Sequence, residues 1–255
     1  MFIIEFKGLT KYFGGLAALE EVSFRIKENS IFSVIGPNGA GKTTLFNCLT
    51  GLTKPTRGEI YYKGNNIVCF PPHKITKAGI ARTFQNIRLF KEMSVLDNVL
   101  VGHHSCYSQN LLSSLLRTGA FKKQEEEIRQ KAYEYLELVG LHEEYQRLAG
   151  ELPYGSQRRL EIARALATGA SVILLDEPTA GMNPQETEEM MEIMRRLKEI
   201  GKTVVLIEHD MKVVMGISEW IVVLDHGVKI SEGPPDVVKN DPLVIEAYLG
   251  KEIHA

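Results

Sequence analysis

Nine residues, Gly36-Pro37-Asn38-Gly39-Ala40-Gly41-Lys42-Thr43-Thr44, have the types and spacing for phosphate chemistry. They fit the pattern G-x-x-x-x-G-K-[ST], whose backbone N–H groups wrap the phosphates of a nucleotide. Gly36, Gly39 and Gly41 admit backbone angles closed to other residues and let the chain approach phosphate oxygens closely. In this pattern Lys42 reaches the β- and γ-phosphates, and the Thr43 hydroxyl takes one position on Mg²⁺. A second candidate group is Asp176-Glu177, which closes the apolar run Val172-Ile173-Leu174-Leu175. Asp176 suits Mg²⁺ held through its water shell, and Glu177 suits a water polarised for in-line attack on the γ-phosphate. An Asp-Glu pair carries little weight alone and much in the company of a phosphate loop.

These groups need particular elements to position them. Ile31-Phe32-Ser33-Val34-Ile35 reads as a buried strand, and Thr44 through Thr50 carries Leu45, Phe46 and Leu49 at helical spacing, so the loop joins a strand to a helix N-terminus. Val172 to Leu175 and Thr203 to Ile207 read as further buried parallel strands, the second followed directly by Glu208-His209-Asp210. Pro184 opens a helix that turns Met190, Met191, Met194 and Leu197 inward and stops at Gly201. Strand Trp220 to Leu224, the turn Asp225-His226-Gly227, another strand and a helix ending near Leu249 complete a mostly parallel, helix-covered α/β sheet.

Alternating segments Ile3 to Phe6 and Val22 to Ile26, with a strand and hairpin turn at Gly58 to Ile67, predict an antiparallel β layer beside the loop. Gly79 to Gln85 reads as a short strand ending in a polar residue. From Ser94 to Leu141 the chain lacks proline and reads as helix with one break. Lys122 to Val139 carries Ile128, Ala132, Tyr135, Leu136 and Val139 on one face, and Ser108 to Gly119 carries Leu111, Leu112, Leu115 and Leu116, for local packing or for contact with another protein. A further helix is expected over Leu160 to Ala167, with its N-terminus at Gln157.

The net charge of −2 gives no support to a nucleic-acid partner. Cys48, Cys69 and Cys106 are odd in number and lack ligand spacing, which fits a reducing cytoplasm better than a disulfide framework or a zinc site. No apolar run approaches the length that spans a bilayer, so work at a membrane requires a partner to hold the protein there.

Taken together, the chain resembles the ATP-binding subunits of ABC transporters over essentially its whole length. Gly36 to Thr44 (GPNGAGKTT) matches their Walker A loop, Val172 to Glu177 their Walker B strand and Gln85 their Q-loop glutamine. Glu208-His209-Asp210 matches the segment of the switch histidine, and Phe13 the aromatic that stacks on adenine. The resemblance implies a P-loop NTPase core at 1–87 and 167–255 with its antiparallel β layer, and an inserted helical subdomain at 88–166. It implies ATP and Mg²⁺ as ligands: Phe13, the loop from Gly36 to Thr44, Gln85, Tyr154, Gly155 and Ser156 on the nucleotide; Thr43, Gln85 and Asp176 on the metal; Glu177 and His209 in catalysis.

Leu152-Pro153-Tyr154-Gly155-Ser156 departs from the family's common LSGGQ signature, because Pro153 removes a hydroxyl and an N–H together. Asn183 stands where the family usually has Asp, and it also reads as a plain helix N-cap before Pro184. Tyr154 to Leu166, Asp176 to Pro184, the stretch from Ile207 to Ser218 and the tail Asp241 to Gly250 are similar to the ATPases of branched-chain amino acid importers. ATPases of urea or amide uptake and of lipopolysaccharide export are also similar. The resemblance implies two ATPase subunits, identical or homologous, facing head to tail, with each ATP between one P-loop and the other subunit's signature segment. It implies separate membrane permease subunits and a place on the cytoplasmic face of the membrane. Soluble relatives that act on DNA or ribosomes usually carry a coiled-coil insertion or two ATPase units, and neither is present. A GTPase lacks support because no N-K-x-D motif occurs.

Overall fold

A computed structural model describes residues 1–103 and 119–249, with side chains described outside 119–122 and 249. The stretch Ser108 to Gly119, apart from Gly119 itself, lies outside the described residues, as do Cys106 and Gly250.

The core is a six-stranded sheet. In chain order its strands are β3 (Ile31–Ile35), β6 (Ile80–Arg82), β7 (Val172–Asp176), β8 (Thr203–Ile207), β9 (Trp220–Asp225) and β10 (Val228–Gly233), arranged β10-β9-β3-β8-β7-β6. All neighbours are parallel except β9 and β10, an antiparallel pair at one edge. β3, β7 and β8 are buried on both faces, which is why they read as nearly unbroken apolar runs. In β7, Val172 and Leu174 enter the core shared with the second sheet, while Ile173 and Leu175 enter the core under the helices. Val205 and Ile207 of β8 divide from Val204 and Leu206 in the same way.

The second sheet is antiparallel and packs Ile4, Phe6, Val22 and Ile60 toward the first, with order β2-β1-β4-β5. Its strands are β1 (Phe2–Phe13), β2 (Leu16–Lys27), β4 (Arg57–Tyr62) and β5 (Asn65–Asn66). β1 and β2 are longer than the alternation predicts and reach the turn Gly14-Gly15, where Gly14 has φ +58°. Register shifts between Phe6 and Leu9, Leu9 and Lys11, and Lys11 and Tyr12 break the two-residue period, so the outer half of the hairpin hides its strand character.

The helices are α1 (Lys42–Leu49), α2 (Pro72–Ala78), α3 (Val95–His103), α4 (Gly119–Leu138), α5 (Tyr154–Ala167), α6 (Pro184–Glu199), α7 (Met211–Ile217), α8 (Pro235–Lys239) and α9 (Pro242–Leu249). Ala132 and Leu136 of α4 and Val139 just after it are buried in one cluster with Val99 of α3 and Leu160 of α5. Met190, Met194 and Leu197 of α6 join the same cluster.

Helix α5 corrects an expectation by starting at Tyr154, not Gln157. Pro153 sits at the N-cap with φ −55° and ψ 155°. The N–H groups of a first helical turn need no partner within the helix, so Gly155 and Ser156 are accommodated there at little cost. No helix among the described residues is long and apolar enough to cross a membrane.

Candidate functional site

The phosphate loop is shaped by backbone approaches that only glycine allows. A Cβ on Gly36 would lie 2.0 Å from the Leu224 carbonyl oxygen, and one on Gly41, at φ +101°, would lie 2.4 Å from that of Ala18. Gly39 also has a positive φ of +84°, but a Cβ there would meet nothing within 4 Å. Gly36 and Gly41 therefore press the loop against β9 and β2, while Gly39 leaves one side open for close approach by a ligand. The Gly227 N–H, in the β9–β10 turn, donates to the Ala40 carbonyl at 3.1 Å and fixes the loop from below.

Lys42 is buried, and its Nζ donates to the carbonyls of Gly36 at 2.6 Å and Pro37 at 2.9 Å. This arches the side chain back over the loop, with its charge on the side where phosphate oxygens would bind. Asn38, Gly39 and Thr43 are exposed, and Thr43 lies in the first turn of α1 beside that helix's unpaired N–H groups. Glycine cradle, ammonium and helix N-terminus together fit a nucleoside triphosphate.

Three predicted residues distant in sequence converge. Glu177 follows β7 with φ +49°, and its N–H donates to the Ile207 carbonyl at 2.9 Å, continuing the ladder to β8. Its Oε2 accepts from Gln85 Nε2 at 2.9 Å, and its Oε1 lies 3.8 Å from His209 Nδ1. A non-glycine residue in the left-handed region costs about 1–2 kcal/mol. At Glu177 that conformation swings the carboxylate out of the sheet to where Gln85 and His209 meet it.

Asp176 is held separately. Its Oδ2 takes a 2.7 Å ion pair from Arg82 Nη2, with both side chains buried. Arg82 Nη1 also donates to Asn47 Oδ1 on α1 at 2.7 Å, so one guanidinium joins the helix after the phosphate loop to the carboxylate at the end of β7.

Arg82, Glu208 and Arg158 have no role in the sequence reading. Buried Glu208 receives the Thr179 N–H at 3.1 Å and the Thr179 hydroxyl on Oε1, and the His209 N–H at 2.9 Å on Oε2. It thus ties the segment after Glu177 to the loop that carries His209. Arg158 donates to the backbone carbonyls of Phe84 and Gln85, which links α5 to the glutamine's own peptide. Beside it, burial pushes the Glu161 carboxyl above its usual range, opposed by the Arg88 N–H and by Arg164 and Arg158. A charged residue in or directly after a buried strand was the available signal for Arg82 and Glu208.

The remaining predicted residues make contacts of their own, and Tyr154 shares the Arg158 guanidinium with the Gln85 carbonyl. Phe13 is half exposed at the hairpin tip, with Lys11 Nζ 4.8 Å from its ring centroid. Tyr154 accepts from Arg158, the Ser156 hydroxyl accepts from Arg159 Nη2 at 3.0 Å, and Gly155 faces Glu186. Within one chain these signature residues contact their own helix and α6. Asn183 forms the predicted N-cap as a full capping box: its side chain accepts from the Glu186 N–H at 3.0 Å and its own N–H donates to Glu186.

Sheet order, strand–loop–helix and an acidic pair at a strand end define a P-loop nucleotide-binding protein. The model of the ABC transporter family matches residues 19–180, and that of the branched-chain amino acid ATP-binding cassette transporter matches 228–254. The chain belongs to the ABC transporter family, as an ATP-binding subunit.

It is 49% identical over 250 residues to the high-affinity branched-chain amino acid transport ATP-binding protein BraF of Pseudomonas aeruginosa, covering 98% of each chain. It is 46% identical over 250 residues to LivG of Escherichia coli, again with 98% of each covered. Among solved structures it is similar to an ATP-binding cassette of an ABC transporter in its ADP conformation, with TM-score 0.86, 37% identity, and 98% of this chain and 99% of the other covered. A dimeric cassette bound to ADP and Pi matches with TM-score 0.77 and 31% identity over 91% of this chain and 99% of that one.

Proposed function

We propose that this chain hydrolyses ATP to drive uptake of branched-chain amino acids through separate membrane subunits, working from the cytoplasmic face. The observation that carries the catalytic part is the meeting of Gln85, Glu177 and His209 at the carboxyl end of the sheet that holds the phosphate loop. The names of BraF and LivG and the match at 228–254 support the solute class.

In this reading the loop from Gly36 to Thr44 binds the phosphates through its N–H groups, and Lys42 moves from its carbonyl partners onto the phosphate oxygens. Glu177 accepts a proton from the attacking water, Gln85 holds the water and Glu177 in line, and His209 reads the γ-phosphate. Thr43 and Gln85 would supply hard oxygen ligands of the kind Mg²⁺ prefers, and Asp176 would hold the ion through its water shell. The ion, when bound, neutralises charge on the transferring phosphoryl group. Phe13 offers its exposed ring to the adenine. Tyr154, Gly155 and Ser156 act on the nucleotide of a facing subunit, and within their own chain they contact α5 and α6. Region 88–166 carries the motion to the permease, with Arg158 as the link from α5 to Gln85.

Arg82 sets the position of Asp176 in this scheme. Arg82→Met leaves the Asp176 carboxylate buried and unpaired, and breaking such a pair costs about 3–5 kcal/mol. Urea unfolding without nucleotide should show that loss, and Asp176→Asn added to Arg82→Met should recover part of it. A loss below about 1 kcal/mol would place the pair among weak surface bridges.

Purification from detergent-solubilised membranes tests the assignment to a transporter. The chain is expected to co-purify with integral membrane partners and to turn over ATP in that complex. Recovery only as a membrane-free protein from cells expressing the whole system would contradict it.

A further inference from the structure

We propose that the crevice between the two sheets, at the end remote from the phosphate loop, is a binding site for aromatic monocarboxylates. It encloses about 770 Å³, a volume in the range of small-molecule sites. Its lining comes from the start of β1, the end of β2, the starts of β3 and β9, and β10.

The floor is aromatic. Phe6 and Phe24 have ring centroids 4.5 Å apart, and Phe24 stacks on Phe32 at 5.6 Å with planes 9° apart. Phe2 and Trp220 line the crevice as well and remain 54% and 41% exposed. One exposed aromatic is ordinary on a protein surface, but two over an aromatic floor form an apolar slot for a flat ring.

The rim decides the charge of the occupant. Glu5 is paired with Arg25 at 2.7 Å and with Lys7 at 3.4 Å, and Glu232 with Lys229 at 2.7 Å. Glu219 takes Lys198 at 3.0 Å and the Ile31 N–H at 2.9 Å. Every lining carboxylate is thus satisfied. Lys27, with its ammonium, and Trp220, with its indole N–H, also line the crevice, and neither side chain has a partner among the described residues. Both are donors, and one is charged, so the complementary ligand joins an aromatic body to a single carboxylate.

β3 runs from this crevice at Phe32 to the phosphate loop at Gly36. Four residues of strand span about 13 Å, so ATP and the carboxylate occupy separate sites.

Trp220 is the sole tryptophan, so its emission reports this crevice directly. The probe is 4-phenylbutyrate, titrated into the full chain with and without saturating MgATP, with calorimetry as a second readout. Saturable binding that MgATP does not displace is expected. Lys27→Gln, a change at an exposed residue, should weaken it about tenfold, and the neutral 4-phenylbutyramide should bind the wild type about tenfold more weakly than the acid. Absence of saturable binding by both readouts, displacement by MgATP, or equal affinity for acid and amide would overturn the proposal.

Discussion

Glu177→Gln is expected to lower ATP turnover by roughly 10²–10⁴-fold, the usual contribution of a positioned general base, while ATP binding persists. Glutamine keeps the size of the side chain and can still accept from Gln85 Nε2, which lies 2.9 Å from Oε2 in the native chain. It cannot take the proton of the attacking water. The strained φ of +49° at this position is unchanged by the substitution, so folding stability should move little. ATP bound without being consumed should also prolong the paired state of the subunits, and size-exclusion mass determination with MgATP checks this. Wild-type hydrolysis by the variant would remove Glu177 from the role of base.

A comparably large effect is expected from Gly41→Ala. The new methyl would meet the Ala18 carbonyl oxygen at 2.4 Å and the Leu19 side chain at 2.9 Å, at a φ of +101° that L residues rarely adopt. Neither β2 nor α1 has freedom to retreat: the Gly41 carbonyl accepts the Leu45 N–H at 2.9 Å, and the Glu20 N–H donates to Gly227 at 2.8 Å. The loop must therefore rearrange, and ATP affinity should fall by about 100-fold or more, because several phosphate-directed N–H groups lose their aim together. Gly39→Ala is the control for fold damage. Its methyl meets nothing, so the nucleotide-free chain should lose only about 1–2 kcal/mol in thermal or urea unfolding. Gly41→Ala should lose more than that, and equal stabilities for the two variants would contradict the clash.

The contrast between these glycines explains what was legible in the sequence. A phosphate loop depends on backbone angles, and backbone angles are written in residue types, so Gly36 to Thr44 could be read without knowing any neighbour. Asp176 and Glu177 were legible for a similar reason: a buried parallel strand announces itself by composition, and its carboxyl end is where ligands gather. The capping box at Asn183 is equally local.

Arg82, Glu208 and Arg158 were not legible because each acts across the fold. Arg82 and Asp176 are 94 positions apart, and the partners of Arg158 lie 73 and 74 positions away. No local pattern encodes such pairs. The outer half of the β1–β2 hairpin was obscured differently, by bulges that shift successive side chains off the two-residue alternation. The early start of α5 was hidden by Pro153, Gly155 and Ser156, which together resemble a loop although each is tolerated at a helix N-terminus. The remote crevice with Trp220 comes from five strands in two sheets and had no counterpart in the linear reading.

The most direct test of the central claim is uptake of radiolabelled leucine into proteoliposomes that hold this chain, its partner ATPase and its permease subunits, with the solute-binding component supplied outside and ATP inside. Wild type should accumulate leucine only with enclosed MgATP, and Glu177→Gln should abolish uptake while the complex stays assembled. Uptake by the Glu177→Gln complex at the wild-type rate, or accumulation without ATP, would contradict the account.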